Sequence, residues 1–350
     1  MNVEMLRCYS LTTTTVGGPH LGSIDIPKLT LGKLNSHRAL LQPLKGFAAE
    51  IGAAEVVAFM GKRLPAGSTK YVASLGMIEY LAMHGRLADC KTFVLSSSGN
   101  TAIAQAINAA EMGIGVIAVL DVRTASGKVK ELQKLGVEIV LIKQPHPTGG
   151  FVLARIEKAK EIERTVKGAI DVDQYNNLGA SLAHYSFTGR YIWECLKGQI
   201  DIVAAAISTG ATAGGIFHRI REYSSRVATL AVDCEGSILT GRPAGKHLLT
   251  GIGAQIISAN MRVAYPAMVG LPPAVVSDAD AFNECHRLRQ TDDVFVGGSS
   301  GAVLAALRKL GKFIRGKRVV AVLADGGESY EDTIFNSVWL EAHGIQMRPF

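Results

Sequence analysis

The residues of this chain that could do chemistry are one lysine and the small side chains of three loops. Lys70 follows Gly67-Ser68-Thr69. A lysine amine can form a Schiff base with an aldehyde, and a loop of small residues at the start of a helix can bind phosphate or carboxylate. Such a set suits a phosphate-bearing aldehyde held by the lysine. The three loops read Ser96-Ser97-Ser98-Gly99-Asn100, Ser208-Thr209-Gly210-Ala211-Thr212 and Gly297-Gly298-Ser299-Ser300-Gly301.

Each of these parts also has a plainer interpretation. A serine or asparagine after a strand often only caps a helix, and a lysine usually lies on the surface. Lys70, however, stands near a predicted helix start, where the helix dipole disfavours a cation. The sequence has no P-loop consensus and no spaced glycine motif of a dinucleotide site. The hypothesis of a bound aldehyde therefore depends on all four parts together.

Short apolar runs that alternate with helical patterns predict how these loops are positioned. This alternation is typical of a parallel sheet covered by helices. In such sheets ligands bind at the carboxyl ends of the strands, so loops from several strands can converge on one molecule. The apolar runs lie at residues 56–59, 93–95, 115–120, 137–142, 202–207, 228–232, 294–296 and 319–323.

Composition excludes several classes of protein. The 350 residues, 48% of them hydrophobic, correspond to about two domains. No apolar run has the length of a membrane span and the N-terminus lacks a secretion signal, which predicts a cytoplasmic protein without a membrane partner. The five cysteines stand singly, so we expect buried free thiols and no metal site. The net charge of +7 is dispersed and has few aromatic neighbours, which argues against nucleic acid as a partner.

Five segments resemble, in order, the motifs of the fold-type II pyridoxal-phosphate enzymes, the group of cysteine synthase and cystathionine beta-synthase. They are Ser98–Thr101, Ser208–Gly215, Gly251–Ala254, Gly297–Gly301 and Ala324–Tyr330, and Asp173–Asn177, His184-Tyr185 and Thr188-Gly189 also match. The resemblance implies an α/β fold of two open, twisted, mostly parallel sheets covered by helices, as in the tryptophan synthase beta chain. It also implies an enzyme that uses pyridoxal 5'-phosphate and forms a homodimer. A smaller mobile domain is expected at residues 46–165, and a larger one at 1–45 and 166–350.

The resemblance assigns roles to individual residues. It implies that Lys70 carries the cofactor, that Asn100 meets its phenolic oxygen and that Ser299 meets its pyridine nitrogen. Lys70 would then take the α proton of an amino-acid substrate, a β leaving group would depart, and the resulting aminoacrylate would accept a nucleophile. The cofactor phosphate would bind Ser208, Thr209, Gly210, Ala211 and Thr212, and the substrate carboxylate Ser97, Ser98, Gly99, Thr101 and Gln174.

Further residues resemble one subgroup, the siderophore-pathway synthases that join O-phospho-L-serine to L-glutamate. These give N-(2-amino-2-carboxyethyl)-L-glutamate, a precursor of 2,3-diaminopropionate. The residues that carry this resemblance are Pro145–Phe151, Arg155, Gln174-Tyr175, Ser208 and Asp233–Ser237. One departure is that the family's Asn-Pro-Gly-Gly-Ser-x-Lys-Asp-Arg is Leu64–Val72 here, so the lysine is kept but its acidic and basic successors are absent.

Three alternatives stay open at this point. Synthesis of cysteine or S-sulfocysteine from sulfide or thiosulfate needs only small changes in the pocket. A binding module that has lost catalysis would explain the altered residues after Lys70. Arg155, finally, is either a surface residue of a helix or, with Tyr175 and Ser208 nearby, a partner for an anionic group of the substrates, since a guanidinium can bind a carboxylate or phosphate with two hydrogen bonds.

Overall fold

The protein is built on two sheets. The computed structural model describes residues 40–97, 99–124, 126–147 and 150–348. The larger sheet has the order β1-β2-β10-β7-β8-β9 and the smaller one β5-β4-β3-β6; every pairing is parallel except that of β1 with β2. The expected fold class is therefore confirmed. The strands are β1 (Leu41–Pro43), β2 (Glu55–Met60), β3 (Thr92–Ser96), β4 (Gly115–Asp121), β5 (Glu138–Ile142), β6 (Ala169–Asp171), β7 (Ile202–Ala206), β8 (Ala228–Cys234), β9 (Ala274–Val276) and β10 (Arg318–Leu323).

Helices cover both sheets. A π-helical turn at His184–Gly189 joins the helices Gly179–Ala183 and Arg190–Cys195. Within the described ranges, no helix is long and apolar enough to cross a membrane. The helices are α1 (Lys45–Ile51), α2 (Lys70–Met83), α3 (Asn100–Ala110), α4 (Ser126–Lys134), α5 (Gly150–Thr165), α6 (Gly179–Ala183), α7 (Arg190–Cys195), α8 (Ala211–Tyr223), α9 (Ala259–Ala264), α10 (Asp278–Asp292), α11 (Gly298–Lys309) and α12 (Ser337–Ala342).

The central strands are continuous apolar runs because both of their faces are covered. In β10, Val319 and Ala321 pack into one apolar cluster, whereas Val320 and Val322 pack into another. Seven of the eight predicted runs are strands with ends shifted by one or two residues, whereas 294–296 is not a strand and contributes only an isolated bridge between Val296 and Gly326. The strands β1, β6 and β9 did not emerge from the sequence pattern, because they have three residues each and are too short to show a period.

Two strands pair with the other sheet than the expected domain ranges would place them in. β2 falls within 46–165 but pairs with β1 and β10 of the larger sheet. β6 falls after residue 165 but pairs with β3 of the smaller sheet. The division into two domains stays a prediction.

Most of the described cysteines are buried free thiols, as expected. Cys90, Cys234 and Cys285 are free and buried, whereas Cys195 is free and exposed, so the prediction of burial was wrong for Cys195. Cys8 lies outside the described residues. Burial raises the pKa of Cys90 to about 11 and that of Cys234 to about 12, so these thiols stay protonated and unreactive.

Two glycines let α2 and α6 touch through their backbones. A Cβ added to Gly76 would lie 2.2 Å from the Gly179 carbonyl oxygen and 2.4 Å from Ala183 Cβ. A Cβ added to Gly179 would lie 2.0 Å from the Gly76 carbonyl oxygen. Because α2 begins at Lys70, this contact positions the helix that carries the candidate catalytic lysine.

We expect Gly76→Ala to lower the free energy of unfolding by about 1–3 kcal/mol, because the added methyl group overlaps backbone that cannot move alone. Urea unfolding of the cofactor-free protein measures this change. Gly127→Ala in α4 is the matched control, since nothing lies within 4 Å of its added Cβ. Equal stability of the two variants would contradict the proposed close contact.

Candidate active site

A pocket at the carboxyl ends of β7 and β10 brings two of the predicted parts together. Lys70 lies on one side of it and the loop Ser208–Thr212 on another. The loop enters α8, whose first N–H groups have no partner within the helix. The pocket is lined by Thr69, Lys70, Ala205, Ala206, Ser208, Thr209, Gly210, Ala211, Thr212, Gly251, Val322 and Ala324.

The segment before Lys70 is fastened to the end of β10. The Thr69 N–H donates a hydrogen bond to the Ala324 carbonyl oxygen at 2.9 Å, and Ser68 forms an isolated β-bridge with Asp325. Burial lowers the pKa of the Lys70 amine, while the charge of Asp325 acts in the opposite direction. A lowered pKa raises the fraction of neutral amine, which is the nucleophilic form.

The loop Ser208–Thr212 has a backbone shape that requires glycine. Gly210 has φ +87°, and a Cβ there would lie 2.5 Å from Met261 Cα. The Ser208 hydroxyl donates to the Gly253 carbonyl oxygen at 2.9 Å, and the Ser258 hydroxyl donates to the Thr209 carbonyl oxygen at 2.6 Å. The loop is thus fixed by hydrogen bonds that involve Gly253 and Ser258, and its residues line the pocket together with Lys70.

A neutral histidine supports the same loop. His184 is fully buried; its Nε2 lies 3.1 Å from Thr212 Oγ1 and its Nδ1 lies 2.8 Å from Thr188 Oγ1. Burial lowers the pKa of His184 to about 3, with the charge of Lys70 as a second cause. The sequence motif contained His184, but no role for it followed from the sequence. The contacts show that it holds Thr212 in place.

The expected carboxylate-binding residues also form a cluster. Thr101 donates to Gln174 Oε1 at 2.9 Å, and Gln174 Nε2 donates to the Ser96 carbonyl oxygen. Ser97 and Thr101 are buried, and Gly99 directly precedes α3. The structure therefore joins the end of β3 to the loop after β6. Ser98 lies outside the described residues.

Asn100 connects this loop to the end of β10. Its Nδ2 donates to Asp325 Oδ2 at 2.8 Å, and the Tyr330 hydroxyl donates to the same oxygen at 2.7 Å. Burial raises the pKa of Asp325, and these two hydrogen bonds oppose that effect. Lys128 Nζ donates to Asn100 Oδ1 at 2.9 Å. No role for Asp325, Tyr330 or Lys128 followed from the sequence.

Ser299 is not one of the pocket-lining residues but lies close to one of them, Gly251. It is buried in the first turn of α11, and a Cβ added to Gly251 would lie 4.0 Å from its hydroxyl oxygen. Gly251 itself lines the pocket. The expected contact residue for the pyridine nitrogen is therefore next to a residue of the pocket wall.

Arg155 is buried, so the interpretation of this residue as a surface arginine is wrong. Its Nη1 lies 2.9 Å from Asp121 Oδ2, whereas its Nε is buried without a hydrogen-bond partner. Tyr175 lies close by: burial raises the pKa of its hydroxyl, and Arg155 acts to lower it. The structure thus brings Arg155 and Tyr175 together, as expected, whereas the expected position of Ser208 near Arg155 stays a prediction.

Asp121 is the carboxylate that pairs with this arginine, and no role for it followed from the sequence. Its Oδ1 also accepts from Arg123 Nε at 3.0 Å. Burial alone would raise the pKa of Asp121, but the hydrogen bonds of Arg123 and the charge of Arg155 outweigh it and keep the pKa low. An acid directly after the apolar run 115–120 was the available sequence signal, because such residues face the ligand edge of a parallel sheet.

A second buried acid, Asp171, ends β6 just before the Gln174 loop and makes stability depend on pH. Burial raises its pKa from 3.8 to about 7, so its contribution to stability is complete below pH 3.8 and is lost as the pH rises through 7. Its Oδ1 accepts the Asp173 N–H, and an amide oxygen can do the same.

We expect the stability of Asp171→Asn relative to the unaltered protein to increase by on the order of 1–3 kcal/mol between pH 5 and pH 8. Urea unfolding at both pH values measures this difference. Asp89→Asn, at an exposed position, is the control and should show little change. An Asp171→Asn difference that is the same at both pH values would argue against a buried titrating carboxyl.

The described residues fit a phosphate-bearing aldehyde. The Lys70 amine shares one pocket with a helix start whose glycine leaves no room for a side chain. Over residues 36–325 the chain matches the family described as "Pyridoxal-phosphate dependent enzyme". This range includes Lys70, the loop Ser208–Thr212 and Asp325.

Several solved structures are similar to this chain. A hydrogen sulfide-producing enzyme from Fusobacterium nucleatum is 24% identical, with a TM-score of 0.73 over 80% of this chain and 91% of that one. An O-acetylserine dependent cystathionine beta-synthase from Helicobacter pylori is 23% identical, with a TM-score of 0.76 over 84% and 94%. An O-ureido-L-serine synthase is 23% identical, with a TM-score of 0.76 over 85% and 92%. These structures share the fold of this chain, and the family match covers most of its length. The chain therefore belongs to the pyridoxal-phosphate dependent enzymes, with pyridoxal 5'-phosphate as its cofactor.

Proposed function

We propose that this enzyme replaces the β substituent of an activated serine, O-phospho-L-serine, with the amine of L-glutamate. The product is N-(2-amino-2-carboxyethyl)-L-glutamate, a precursor of 2,3-diaminopropionate in siderophore or secondary metabolite synthesis. The observation that carries the proposal is the buried Arg155 with an unpaired Nε. Two of the similar structures are named for O-acetylserine and for O-ureido-L-serine, which supports a serine with a modified β oxygen as the substrate class.

Lys70 and the loop Ser208–Thr212 would hold the cofactor. The amine of Lys70 would bind the aldehyde, and the N–H groups and hydroxyls of the loop would bind the phosphate. When bound, the cofactor would withdraw electrons from the α carbon of the amino-acid substrate and so acidify its α proton. The free amine of Lys70 would take this proton, for which its lowered pKa suits it.

The substrate carboxylate would lie on the loop before α3. Ser97, Ser98, Gly99 and Thr101 offer hydroxyl and N–H donors, and the Gln174 amide is tied to this loop through Thr101. Asn100 would meet the phenolic oxygen of the cofactor from the same loop, and Ser299 would meet its pyridine nitrogen. A neutral hydroxyl does not keep the ring nitrogen protonated as a carboxylate would, which favours loss of the β substituent over transamination.

Arg155 supplies charge for a second anionic group. Asp121 is close to both Arg123 and Arg155, so the three side chains carry a formal charge of +1. An unpaired, buried guanidinium N–H is costly unless a ligand accepts its hydrogen bond. The phosphate of the donor or a carboxylate of glutamate can accept it, whereas sulfide requires no such partner.

The alternative enzyme is a cysteine or S-sulfocysteine synthase, since one similar structure is that of a hydrogen sulfide-producing enzyme. The alternative of a binding module without catalysis was motivated by the residues after Lys70. Two of these, Tyr71 and Val72, are not pocket-lining residues and pack into an apolar cluster with Phe187. Their side chains therefore contribute to packing, which supports the interpretation of the chain as an enzyme over that of a binding module. The homodimer and the cytoplasmic location stay predictions.

We expect Lys70→Ala to abolish turnover and covalent attachment of the cofactor, because no other amine lines the pocket among the residues described. Borohydride reduction of the unaltered enzyme, followed by peptide mapping, should find the cofactor mass on Lys70. Lys312→Ala, at an exposed position, should retain both properties. Cofactor found on another lysine would overturn the assignment.

Product mass spectrometry with O-phospho-L-serine and equal amounts of glutamate, sulfide and thiosulfate tests the proposed reaction. We expect the glutamate adduct to predominate in the unaltered enzyme. Arg155→Ala should lower the efficiency of glutamate coupling roughly ten- to hundredfold, because a charge-assisted hydrogen bond is lost. Sulfide addition should fall less.

Two further variants separate charge from geometry in this experiment. Arg155→Lys keeps the charge but loses the planar fork, so it should recover only part of the glutamate reaction. Arg164→Ala changes an exposed arginine on the same helix and should behave as the unaltered enzyme. If sulfide or thiosulfate is preferred by the unaltered enzyme and Arg155→Ala leaves glutamate coupling intact, the cysteine synthase alternative replaces the proposal.

A further inference from the structure

We propose that Lys128 is a positioning residue that sets the orientation of the Asn100 amide in the cofactor site. The inference rests on the proposed contact of Asn100 with the cofactor. Lys128 lies on α4, outside the pocket lining, and its side chain is 13% exposed. Its Nζ donates to Asn100 Oδ1 at 2.9 Å and to Ser329 Oγ at 2.8 Å.

The charges at the two ends of the Asn100 amide determine which way it points. The oxygen faces the ammonium of Lys128, and the nitrogen faces the carboxylate of Asp325 at 2.8 Å. The reverse orientation would place N–H groups against a cation and the oxygen against an anion. The observed orientation commits one Nδ2 hydrogen to Asp325 and leaves the second for an anionic oxygen, such as the phenolic oxygen of the cofactor.

Lys128 also connects elements of the two sheets. Ser329 belongs to the turn Glu328–Tyr330, which follows β10 of the larger sheet, whereas α4 lies between β4 and β5 of the smaller one. Tyr330 in the same turn donates to Asp325, which in turn binds Asn100. The contacts of Lys128, Asn100, Asp325 and this turn form a closed ring. Loss of Lys128 would free one end of the amide and open that ring.

A surface ion pair does not explain the position of Lys128. Glu131 Oε2 lies 3.5 Å from Nζ and its side chain is 45% exposed, so this pair contributes little. The two shorter contacts are to neutral oxygens that are themselves part of the ring. The charge of Lys128 further opposes the effect of burial on the Asp325 pKa, so it favours the carboxylate that Asn100 binds.

The role of Lys128 is tested by measuring the dissociation constant of pyridoxal 5'-phosphate for the apoenzyme. The visible absorbance of the bound cofactor is the signal. We expect Lys128→Met to weaken binding about three- to tenfold, which corresponds to the loss of one or two partly exposed hydrogen bonds. Lys128→Arg should recover part of the affinity. Lys130→Met removes the same charge from an exposed position of α4 and should leave the constant unchanged.

The same measurement in an Asn100→Ala background tests whether Lys128 acts through the amide. We expect Asn100→Ala alone to weaken cofactor binding and Lys128→Met to have no further effect in that background. If Asn100→Ala binds the cofactor normally, the proposed cofactor contact of Asn100 fails. If Asn100→Ala weakens binding but Lys128→Met matches Lys130→Met, or if the two effects add in full, the positioning role of Lys128 is overturned.

Discussion

The arrangement of the site depends on the attachment of the segment before Lys70 to the end of β10. The Thr69 N–H binds the Ala324 carbonyl oxygen, and this carbonyl is so close to Gly61 that a Cβ there would lie 2.2 Å from it. Such close backbone contacts leave little freedom at the start of α2. Because β10 also pairs with β7, which leads into the loop Ser208–Thr212, one pair of strands places the amine and the loop on the same pocket.

Burial controls the ionisation of the groups around this pocket. It lowers the pKa of Lys70 and of His184, so both bases tend toward their neutral forms. The buried acids differ according to their partners. Asp121 has two arginines and keeps its charge, whereas Asp325 has only neutral hydrogen-bond donors within bonding distance and its pKa is raised. The site therefore combines an amine suited to nucleophilic attack with a neutral histidine that supports the loop Ser208–Thr212.

The sequence predicted most strands of the fold and the segments that line the pocket, but not the side-chain pairs that hold those segments together. Long apolar runs and the loops after them are local features, so the parallel strands and the pocket segments at Lys70 and Gly210 could be identified directly. The three-residue strands could not, since pairing with a neighbour defines them. Contacts such as Asp121 with Arg155 and Lys128 with Asn100 join residues 28 or more positions apart. Only the folded geometry reveals such pairs.

The residues after Lys70 differ from the family's motif, but the contacts that position Lys70 do not involve them. Tyr71 and Val72 pack into the apolar cluster beneath α2, together with Leu75. Replacing an acidic and a basic residue by an aromatic and an aliphatic one exchanges polar contacts for buried area, which stabilises the helix against the sheet. The lysine itself is positioned by the backbone of Ser68 and Thr69, which does not depend on the side chains that follow. The position of the amine at the helix start is therefore compatible with different residues at positions 71 and 72. The absence of the family's acidic and basic residues there does not argue against catalysis by Lys70.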